Sequence, residues 1–250
     1  MANLLILFRK ELRSIFLSPF GWAVLSLVTV MQGWSMSTAM KQMQDEASTL
    51  SLVYRVFHAP PFWFYFLAIF PLITMKLFAE EERGGTLETL LTAPVQTRQL
   101  VLGKYMATYC FYLILWIPAF IQFHLFSVLT DLPPPFSTGS LLGAFLAIIL
   151  MGALFIAVGS LASALTSSQI IAGVVTVGIL FIHHFLGYIT EIYGDRFLAA
   201  PLFHYISSKE HLSYFSQGLI DSRAIVYYLT AAVFCLFLTG HIINHRRWRS

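Results

Sequence analysis

The stretch FAEEERGGTLETLLTAP, residues Phe78 to Pro94, decides how this chain must be arranged. It contains three consecutive glutamates, yet the segments on either side, 62–77 and 100–126, are almost wholly apolar. Apolar segments of that length can be buried in a bilayer, whereas clustered carboxylates are costly there and belong in water. The pattern therefore predicts two membrane-spanning helices joined by a short polar connection.

Within this connection the sequence predicts a short helix. Thr86 can accept a hydrogen bond from a free backbone N–H and cap the helix, and Glu88 then lies in the first turn, where the helix dipole favours negative charge. Pro94 ends the helix. Its leucines are spaced i, i+3 and i+4 and share one face: Leu87, Leu90 and Leu91. A helix this short is not stable alone, so the leucine face must dock on the membrane surface or on a partner protein.

The composition is that of a polytopic membrane protein. Hydrophobic residues make up 58% of the 250 residues, charged residues 11%, and the mean hydropathy is +0.75. Soluble domains carry about a quarter charged residues. Between Lys104 and Asp131, and again between Asp131 and Glu191, the chain has no Asp, Glu, Lys or Arg.

Six segments are long and apolar enough to span a bilayer, which takes about 20 residues. They cover residues 19–39, 60–78, 101–126, 139–165, 170–189 and 225–243. We therefore expect an all-α fold that forms a single transmembrane domain over residues 1–250. Pro71 and Pro118 are expected to bend the second and third spans.

Two further segments are predicted to lie along the membrane. Residues 1–16 have their basic residues after an apolar run, the reverse of a signal peptide, and are expected to form an interfacial elbow helix. Residues 190–223 mix aromatic and polar side chains, and we expect one or two short helices that enter the outer leaflet and return.

The lysines and arginines predict the orientation, because they favour the cytoplasmic side. With the N-terminus inside, ten of them are cytoplasmic: Arg9, Lys10, Arg13, Lys76, Arg83, Arg98, Lys104, Arg246, Arg247 and Arg249. Five are outside: Lys41, Arg55, Arg196, Lys209 and Arg223. This distribution predicts that both termini and the acidic connection lie in the cytoplasm.

The run ITMKLFAEEERGGTLETLLTAPV, residues 73–95, closely resembles the signature of ABC-2-type transporter permeases, most of all their gliding-motility-associated subfamily. The run YFSQGLID, residues 214–221, followed by a last span and a basic tail, is similar to the same subfamily. Residues 9–12, RKEL, resemble the entry helix of the family.

The resemblance implies a permease with six transmembrane helices and an elbow helix, in the bacterial cytoplasmic (inner) membrane. Its coupling segment, residues 80–94, would dock a short helix in a groove of an ABC ATPase subunit. The implied ATPase-coupling residues are Glu80, Glu81, Glu82, Arg83, Gly84, Gly85, Thr86, Leu87, Glu88, Leu90 and Leu91. The active unit would pair two permeases with two ATPases. The second permease would be either the same chain or a larger permease-related protein with an extracytoplasmic domain.

The chain lacks the motif G-x-x-x-x-G-K-[ST], so it has no loop of that kind to hold nucleotide phosphates. We therefore expect no enzymatic activity and no cofactor or metal in this chain. ATP and Mg²⁺ would be bound by the partner ATPase. The basic residues are scattered at predicted helix ends, which argues against nucleic acid as a partner.

Three alternatives to export of an unidentified substrate remain. The permease could transmit ATP-driven force to an extracytoplasmic partner without moving a substrate. An intramembrane metal or haem protein is a remote alternative, because adjacent His183 and His184 point about 100° apart on a helix. An ion or proton carrier would need charges within its spans, and the polar residues noted there are neutral: Gln32, Ser35, Gln122 and Thr176.

Overall fold

The computed structural model describes residues 2–45, 50–86, 95–129, 135–193 and 199–247, and these ranges are helical without strands. The first helices are α1 (Ala2–Leu17), α2 (Pro19–Asp45), α3 (Leu52–His58), α4 (Pro60–Thr74), α5 (Ala79–Arg83) and α6 (Thr97–Leu115). The others are α7 (Ile117–Leu129), α8 (Thr138–Leu165), α9 (Gln169–Tyr193), α10 (Ala200–Ile206), α11 (Ser208–Ser216) and α12 (Ser222–Arg247).

Five helical units of the described chain are long and apolar enough to cross a membrane. They are Pro60–Arg83, Thr97–Leu129, Thr138–Leu165, Gln169–Ile189 and Ser222–Arg246. A sixth unit qualifies only when α1 and α2 are taken together, and these two helices meet at an angle of 71°. The expected all-α polytopic fold is therefore confirmed, with five candidate spans in the described chain, or the expected six if α1 and α2 together form one bent span.

Three closely spaced residues produce the bend between α1 and α2. Ser18 interrupts the helix and its hydroxyl accepts a hydrogen bond from the N–H of Phe20 (3.2 Å). Pro19 suits the first turn of a new helix because its missing N–H has no partner there. Gly21 allows the close approach, since a Cβ atom at this position would lie 2.3 Å from the carbonyl oxygen of Ile15.

The core of the bundle is filled by aromatic side chains. Phe62, Phe66 and Phe70 recur at every fourth position of α4 and are fully buried. Phe66 and Phe70 contact Phe155 of α8, with ring centroids 6.0 Å and 5.0 Å apart. Phe70 also contacts Tyr112 of α6 at 5.4 Å. Edge-to-face and offset contacts of this kind add to the stabilisation that comes from packing.

Helices α6 and α8 run antiparallel and are joined by a row of tyrosines. Tyr105, Tyr109 and Tyr112 donate hydrogen bonds to three carbonyl oxygens of α8, those of Ala153, Ile149 and Ile148, at 3.0, 3.1 and 2.8 Å. The hydroxyl groups are thereby satisfied within an apolar bundle, where an unpaired polar group is costly.

The third span contains a break in the helix at the position where Pro118 was expected to bend it. Helix α6 ends at Leu115, and α7 begins at Ile117 with Pro118 in its first turn. Pro118 has no N–H to donate to the carbonyl of Ile114, so the helical ladder is interrupted there. The side-chain amide of Gln32 in α2 donates a hydrogen bond to the carbonyl of Leu115 (2.9 Å), which ties α2 to this break.

The short helices α3, α10 and α11 cover the end of the bundle opposite α5. Residues 190–223 contain α10 and α11, and their entry into the outer leaflet stays a prediction. Helix α3 was not predicted, although Ser51 caps it and Leu52, Val53, Val56 and Phe57 form a buried helical face. Burial lowers the pKa of His58 in α3 to about 4, so this side chain is neutral at physiological pH.

Glycine allows α6 and α8 to pack closely, and this can be tested with single methyl groups. A Cβ atom at Gly152 would lie 2.1 Å from the ring of Tyr112, whereas a Cβ atom at Gly178 of α9 would meet no atom within 4 Å. We expect Gly152→Ala to destabilise the protein by about 1–3 kcal/mol through overpacking. Gly178→Ala should leave stability unchanged or raise it by up to about 1 kcal/mol, because it meets no atom and alanine favours a helix over glycine. Thermal unfolding in detergent checks both predictions. Equal midpoints for the two variants would contradict the close contact between Gly152 and Tyr112.

Candidate functional site

Helix α5 holds the acidic residues Glu80 to Glu82, and one serine of α8 fixes where it starts. The chain leaves α4 at Thr74 and turns through residues 75–78 before α5. The hydroxyl of Ser163 accepts hydrogen bonds from the N–H groups of Phe78 (3.0 Å) and Ala79 (3.1 Å). The same hydroxyl donates to the carbonyl of Met75 (3.2 Å). The first N–H groups of a helix lack intrahelical partners, so Ser163 supplies what this buried helix start requires.

A buried lysine joins α5 to two other helices. The Nζ atom of Lys104 in α6 lies 2.8 Å from Oε1 of Glu81 and 3.2 Å from Oε1 of Glu11 in α1. Only 3% of the Lys104 side chain is exposed. A buried ammonium group must be paired with carboxylates to offset the loss of hydration. Lys104 therefore requires α1, α5 and α6 to meet at this point.

A second ion pair joins α5 to the last helix. Arg246 of α12 pairs with Glu82, and both side chains are roughly one-third exposed. Two neighbouring glutamates of α5 thus face different partners, Glu81 towards α6 and α1 and Glu82 towards α12.

A small apolar cluster lies beside these charges and draws its members from the same helices. We call it the base cluster; its buried residues are Leu7, Leu77, Phe78, Leu100, Val101, Ala164 and Ile243. The Nζ atom of Lys104 also lies 5.8 Å from the ring centroid of Phe78. Apolar packing and ion pairs therefore hold α1, α6, α8 and α12 around the start of α5.

A cavity of about 370 Å³ opens between α1, the start of α2, the end of α4, α5 and α6. We call it the base cavity. Its charged lining residues are balanced in sign: Lys10, Lys76 and Lys104 with Glu11, Glu80 and Glu81. Lys76 also lies over the ring of Phe20 at 4.4 Å, so its ammonium group has an aromatic partner at the start of α2.

The remaining charged side chains of α5 are open to solvent. Glu80 and Arg83 are exposed, as are the three residues that follow α5. Gly84 closes the helix by donating its N–H to the carbonyl of Glu80 (3.0 Å). Gly85 has φ = 67°, a conformation that favours glycine. The hydroxyl of Thr86 donates to the carbonyl of Glu81 (3.3 Å), which fastens it to the end of α5.

The predicted coupling residues divide into two groups. Glu80, Glu81, Glu82, Arg83, Gly84, Gly85 and Thr86 lie together on α5 and the turn that follows. Leu87, Glu88, Leu90 and Leu91 lie outside the described residues, as does the rest of the predicted helix up to Pro94. The leucine face therefore stays a prediction.

Sequence reasoning did not identify the residues that anchor α5. Lys104 was used only to predict orientation, although it is the one charge inside an otherwise apolar span of residues 101–126. A lone lysine in such a span indicates a carboxylate partner, and Glu81 on the preceding connection is a candidate of opposite charge. Ser163 carries no comparable signal, because serine is common among the small residues of membrane helices.

The two adjacent histidines diverge, as expected from the helix geometry. His183 contacts the hydroxyl of Tyr227 (3.0 Å) and that of Ser208 (3.4 Å), while the ring of His184 packs against Trp63 at 4.4 Å. Within the described part of the chain, no group of three or more His, Cys, Asp or Glu side chains could hold a metal ion.

Comparison with known protein families gives one match that covers most of the chain. A family model described as ABC-2 family transporter protein matches residues 9–187. The matched range runs from α1 into α9 and contains Glu11, α5, Lys104 and Ser163. A comparison with curated proteins gives no match.

The role of Ser163 can be tested against a neighbouring serine. Ser163→Ala would leave the N–H groups of Phe78 and Ala79 without a partner, at a cost of about 1–3 kcal/mol for each buried group. We expect a lower unfolding midpoint and faster amide exchange at these two residues. Ser160→Ala is the matched control, because within the described part of the chain the hydroxyl of Ser160 donates to its own helix, to the carbonyl of Ile156 (2.7 Å). If both variants behaved alike, Ser163 would not hold the start of α5.

The buried lysine of the base cavity, Lys104, should contribute far more to the stability of the protein than the exposed Lys10. Lys104→Ala leaves Glu11 and Glu81 without their shared cation, and breaking a buried pair costs roughly 3–5 kcal/mol. Lys10, 58% exposed and 3.5 Å from Glu11, forms a surface pair worth about 0–1 kcal/mol. Chemical unfolding in detergent measures both losses. Similar values for Lys104→Ala and Lys10→Ala would show that the buried lysine does not join the three helices.

Proposed function

Because the chain belongs to the ABC-2 family of transporter proteins, we propose that it is the permease subunit of an ABC exporter, driven by a separate ATPase. As a member of this family, and with at least five helices able to span a bilayer, it is a multi-pass membrane protein and a transporter component. The observation that carries the proposal is the attachment of α5 to α1, α6, α8 and α12. This attachment would allow force applied at the coupling segment to reach most of the bundle.

The first step is contact with the ATPase. The exposed residues at the end of α5 and the leucine face predicted beyond it would bind that subunit. The leucines would provide an apolar anchor, and Glu80 with Arg83 would orient the partner through complementary charges. In this proposal Glu81 and Glu82 have a different task, since their carboxylates already face Lys104 and Arg246.

The second step is transmission through the anchors. A displacement of α5 would act on α1 and α6 through Lys104, on α12 through Arg246, and on α8 through Ser163. Packed cores and ion-paired joints have few alternative arrangements, so small shifts at one end are passed on as movements of whole helices. Helix α1 would move with α5 because a carboxylate of each helix pairs with the same lysine.

The third step is the substrate route. The interior of the bundle is occupied by the buried aromatic core of Phe66, Phe70, Tyr112 and Phe155. A route through the centre of one chain would have to displace this core. We therefore propose that the substrate moves along an outer face of the bundle, shared with a second permease subunit. Helix α9 offers such a face, because Val174 and Ile182 are exposed there.

The proposed membrane and orientation are supported by the distribution of the basic residues and by the resemblance to the gliding-motility-associated subfamily. We propose a bacterial cytoplasmic membrane, with both termini and α5 in the cytoplasm, where ATP is available. ATP and Mg²⁺ would be bound by the ATPase. The second permease would be another copy of this chain or a larger permease-related protein with an extracytoplasmic domain.

A second function is favoured by the same packed core. The permease could relay force from the ATPase to an extracytoplasmic partner without moving a substrate. The helices α3, α10 and α11 at the end opposite α5 would then form the output surface. Reconstitution of the permease with its ATPase would test this function. It would be supported if ATP were hydrolysed only when an extracytoplasmic protein is bound and no solute or lipid were moved.

The coupling helix can be tested by placing charge on its two faces. Leu87→Asp with Leu90→Asp would remove the apolar anchor, so we expect loss of ATPase co-purification and of coupled transport while the permease still inserts. Thr89→Asp adds a carboxylate to the same segment away from the leucine face and should retain the ATPase. Affinity purification from membranes in mild detergent, followed by quantification of both subunits, measures the effect.

Two results would contradict this proposal. ATPase recovery unchanged in the double leucine variant would show that the leucine face does not bind it. Labelling of a Glu88→Cys variant by a membrane-impermeant thiol reagent in intact cells would place the segment outside the cytoplasm, provided that the parent chain with Cys110 and Cys235 replaced is not labelled.

A further inference from the structure

A lateral groove of about 640 Å³ lies between the start of α6 and the last turns of α12. Its volume is within the range of about 300–1,000 Å³ that is typical of ligand sites. The two helices meet at one end of the groove, where the hydroxyl of Thr97 donates a hydrogen bond to Oδ1 of Asn244 (3.4 Å). Both helices belong to membrane-spanning units, so the groove runs from the end of the spans towards the middle of the bilayer.

The part of the groove nearer the middle of the spans is apolar. Its lining includes Val101 and Leu102 of α6 and Val233, Leu236 and Phe237 of α12. Val233 and Phe237 are 66% and 68% exposed. They continue an exposed apolar stripe of α12 that begins at Val226 and Leu229, spaced by three or four residues. A hydrocarbon chain can lie along this stripe.

The other end of the groove is polar and positively charged. Arg98, His241 and Asn244 line it, and all three are exposed. Among the described residues that line the groove, Arg98 is the one permanent cation, and none is a carboxylate. The end of a span is the level of the lipid headgroups, where a guanidinium group is well suited to bind phosphate through two parallel hydrogen bonds.

Gly240 deepens the groove between its two parts. A Cβ atom at this position would meet no atom within 4 Å, so the space beside α12 is open. Along the axis of α12, the apolar part of the groove is followed by the open space at Gly240 and then by the positively charged end. This order matches an amphiphile with a hydrocarbon tail and a single negative headgroup.

We propose that this groove binds one anionic phospholipid, with an acyl chain against Val233 and Phe237 and its phosphate at Arg98. The proposal requires only that the chain spans a membrane and is independent of the ATPase and of the transported substrate. The lipid would fill the gap between α6 and α12 next to the base cluster. The groove would therefore bind anionic lipids more tightly than zwitterionic ones.

The test is native mass spectrometry of the full-length chain in detergent, titrated with phosphatidylglycerol or with phosphatidylcholine of the same acyl chains. We expect tighter binding of phosphatidylglycerol. Arg98→Gln should weaken that binding about fivefold, because one basic residue near a membrane contributes about 1 kcal/mol, and should leave phosphatidylcholine unchanged. Arg9→Gln, which removes an exposed arginine of α1, is the matched control and should bind both lipids like the parent chain.

A second variant tests the apolar part of the groove. Gly240→Phe places a large side chain in open space, so the fold should be retained and binding of both lipids should fall. Gly178→Phe on α9 is the matched control, since a Cβ atom there also meets no atom within 4 Å. Thermal unfolding confirms that each variant is folded.

Three outcomes would overturn the proposal. Equal affinity for the two lipids together with no effect of Arg98→Gln would remove the headgroup site. Unchanged lipid binding by a folded Gly240→Phe variant would show that the acyl chain of the lipid does not bind in this groove. A Gly240→Phe variant that changes the oligomeric mass but not lipid binding would show that a second copy of the protein covers this face.

Discussion

The buried ammonium group of Lys104 constrains how α1, α5 and α6 are arranged in this membrane protein. An unpaired charge at such a position would cost several kcal/mol, so the fold must bring carboxylates to it. One comes from α1 and the other from α5, helices that are far apart in the sequence and otherwise short or peripheral. The requirement to neutralise Lys104 therefore fixes α1 and α5 against α6.

Helix α8 supplies the second constraint, through small residues rather than charge. Gly159 lets Thr74 of α4 approach so closely that a Cβ atom would lie 2.2 Å from its hydroxyl oxygen. One turn later Ser163 binds the backbone at the start of α5. Interhelical contact between small residues is the usual basis of packing in membranes, where apolar side chains gain little by leaving lipid. The position of α5 thus follows from the packing of α4 on α8.

The sequence was sufficient to predict the parts of the fold that depend on hydropathy and on helix-breaking residues. The apolar segments, the separate N-terminal helix α1 and the helix break near Pro118 all follow from local patterns, as do the short helices after α9. Helix α3 was missed because it is too short for a span, although the cap residue Ser51 and the apolar residues Leu52, Val53, Val56 and Phe57 are present in the sequence.

The candidate site was predictable only in outline. The acidic residues were found because charge is rare in this chain, but the pattern gave no means to distinguish Glu81 and Glu82 from Glu80. That distinction depends on Lys104 and Arg246, which are separated from α5 by many residues, and on Ser163, which resembles the other small residues of α8. Pairings across such distances are set by tertiary packing and leave no periodic signal in a single sequence.

The sharing of one lysine by Glu11 and Glu81 has a mechanical consequence. If either carboxylate withdraws, the ammonium group keeps the other as its counter-ion, so neither movement exposes an unpaired buried cation. The joint is therefore redundant, because the loss of one of its two ion pairs leaves the buried ammonium group with a counter-ion. A one-to-one pair at the same place would leave the ammonium group buried and unpaired as soon as it broke.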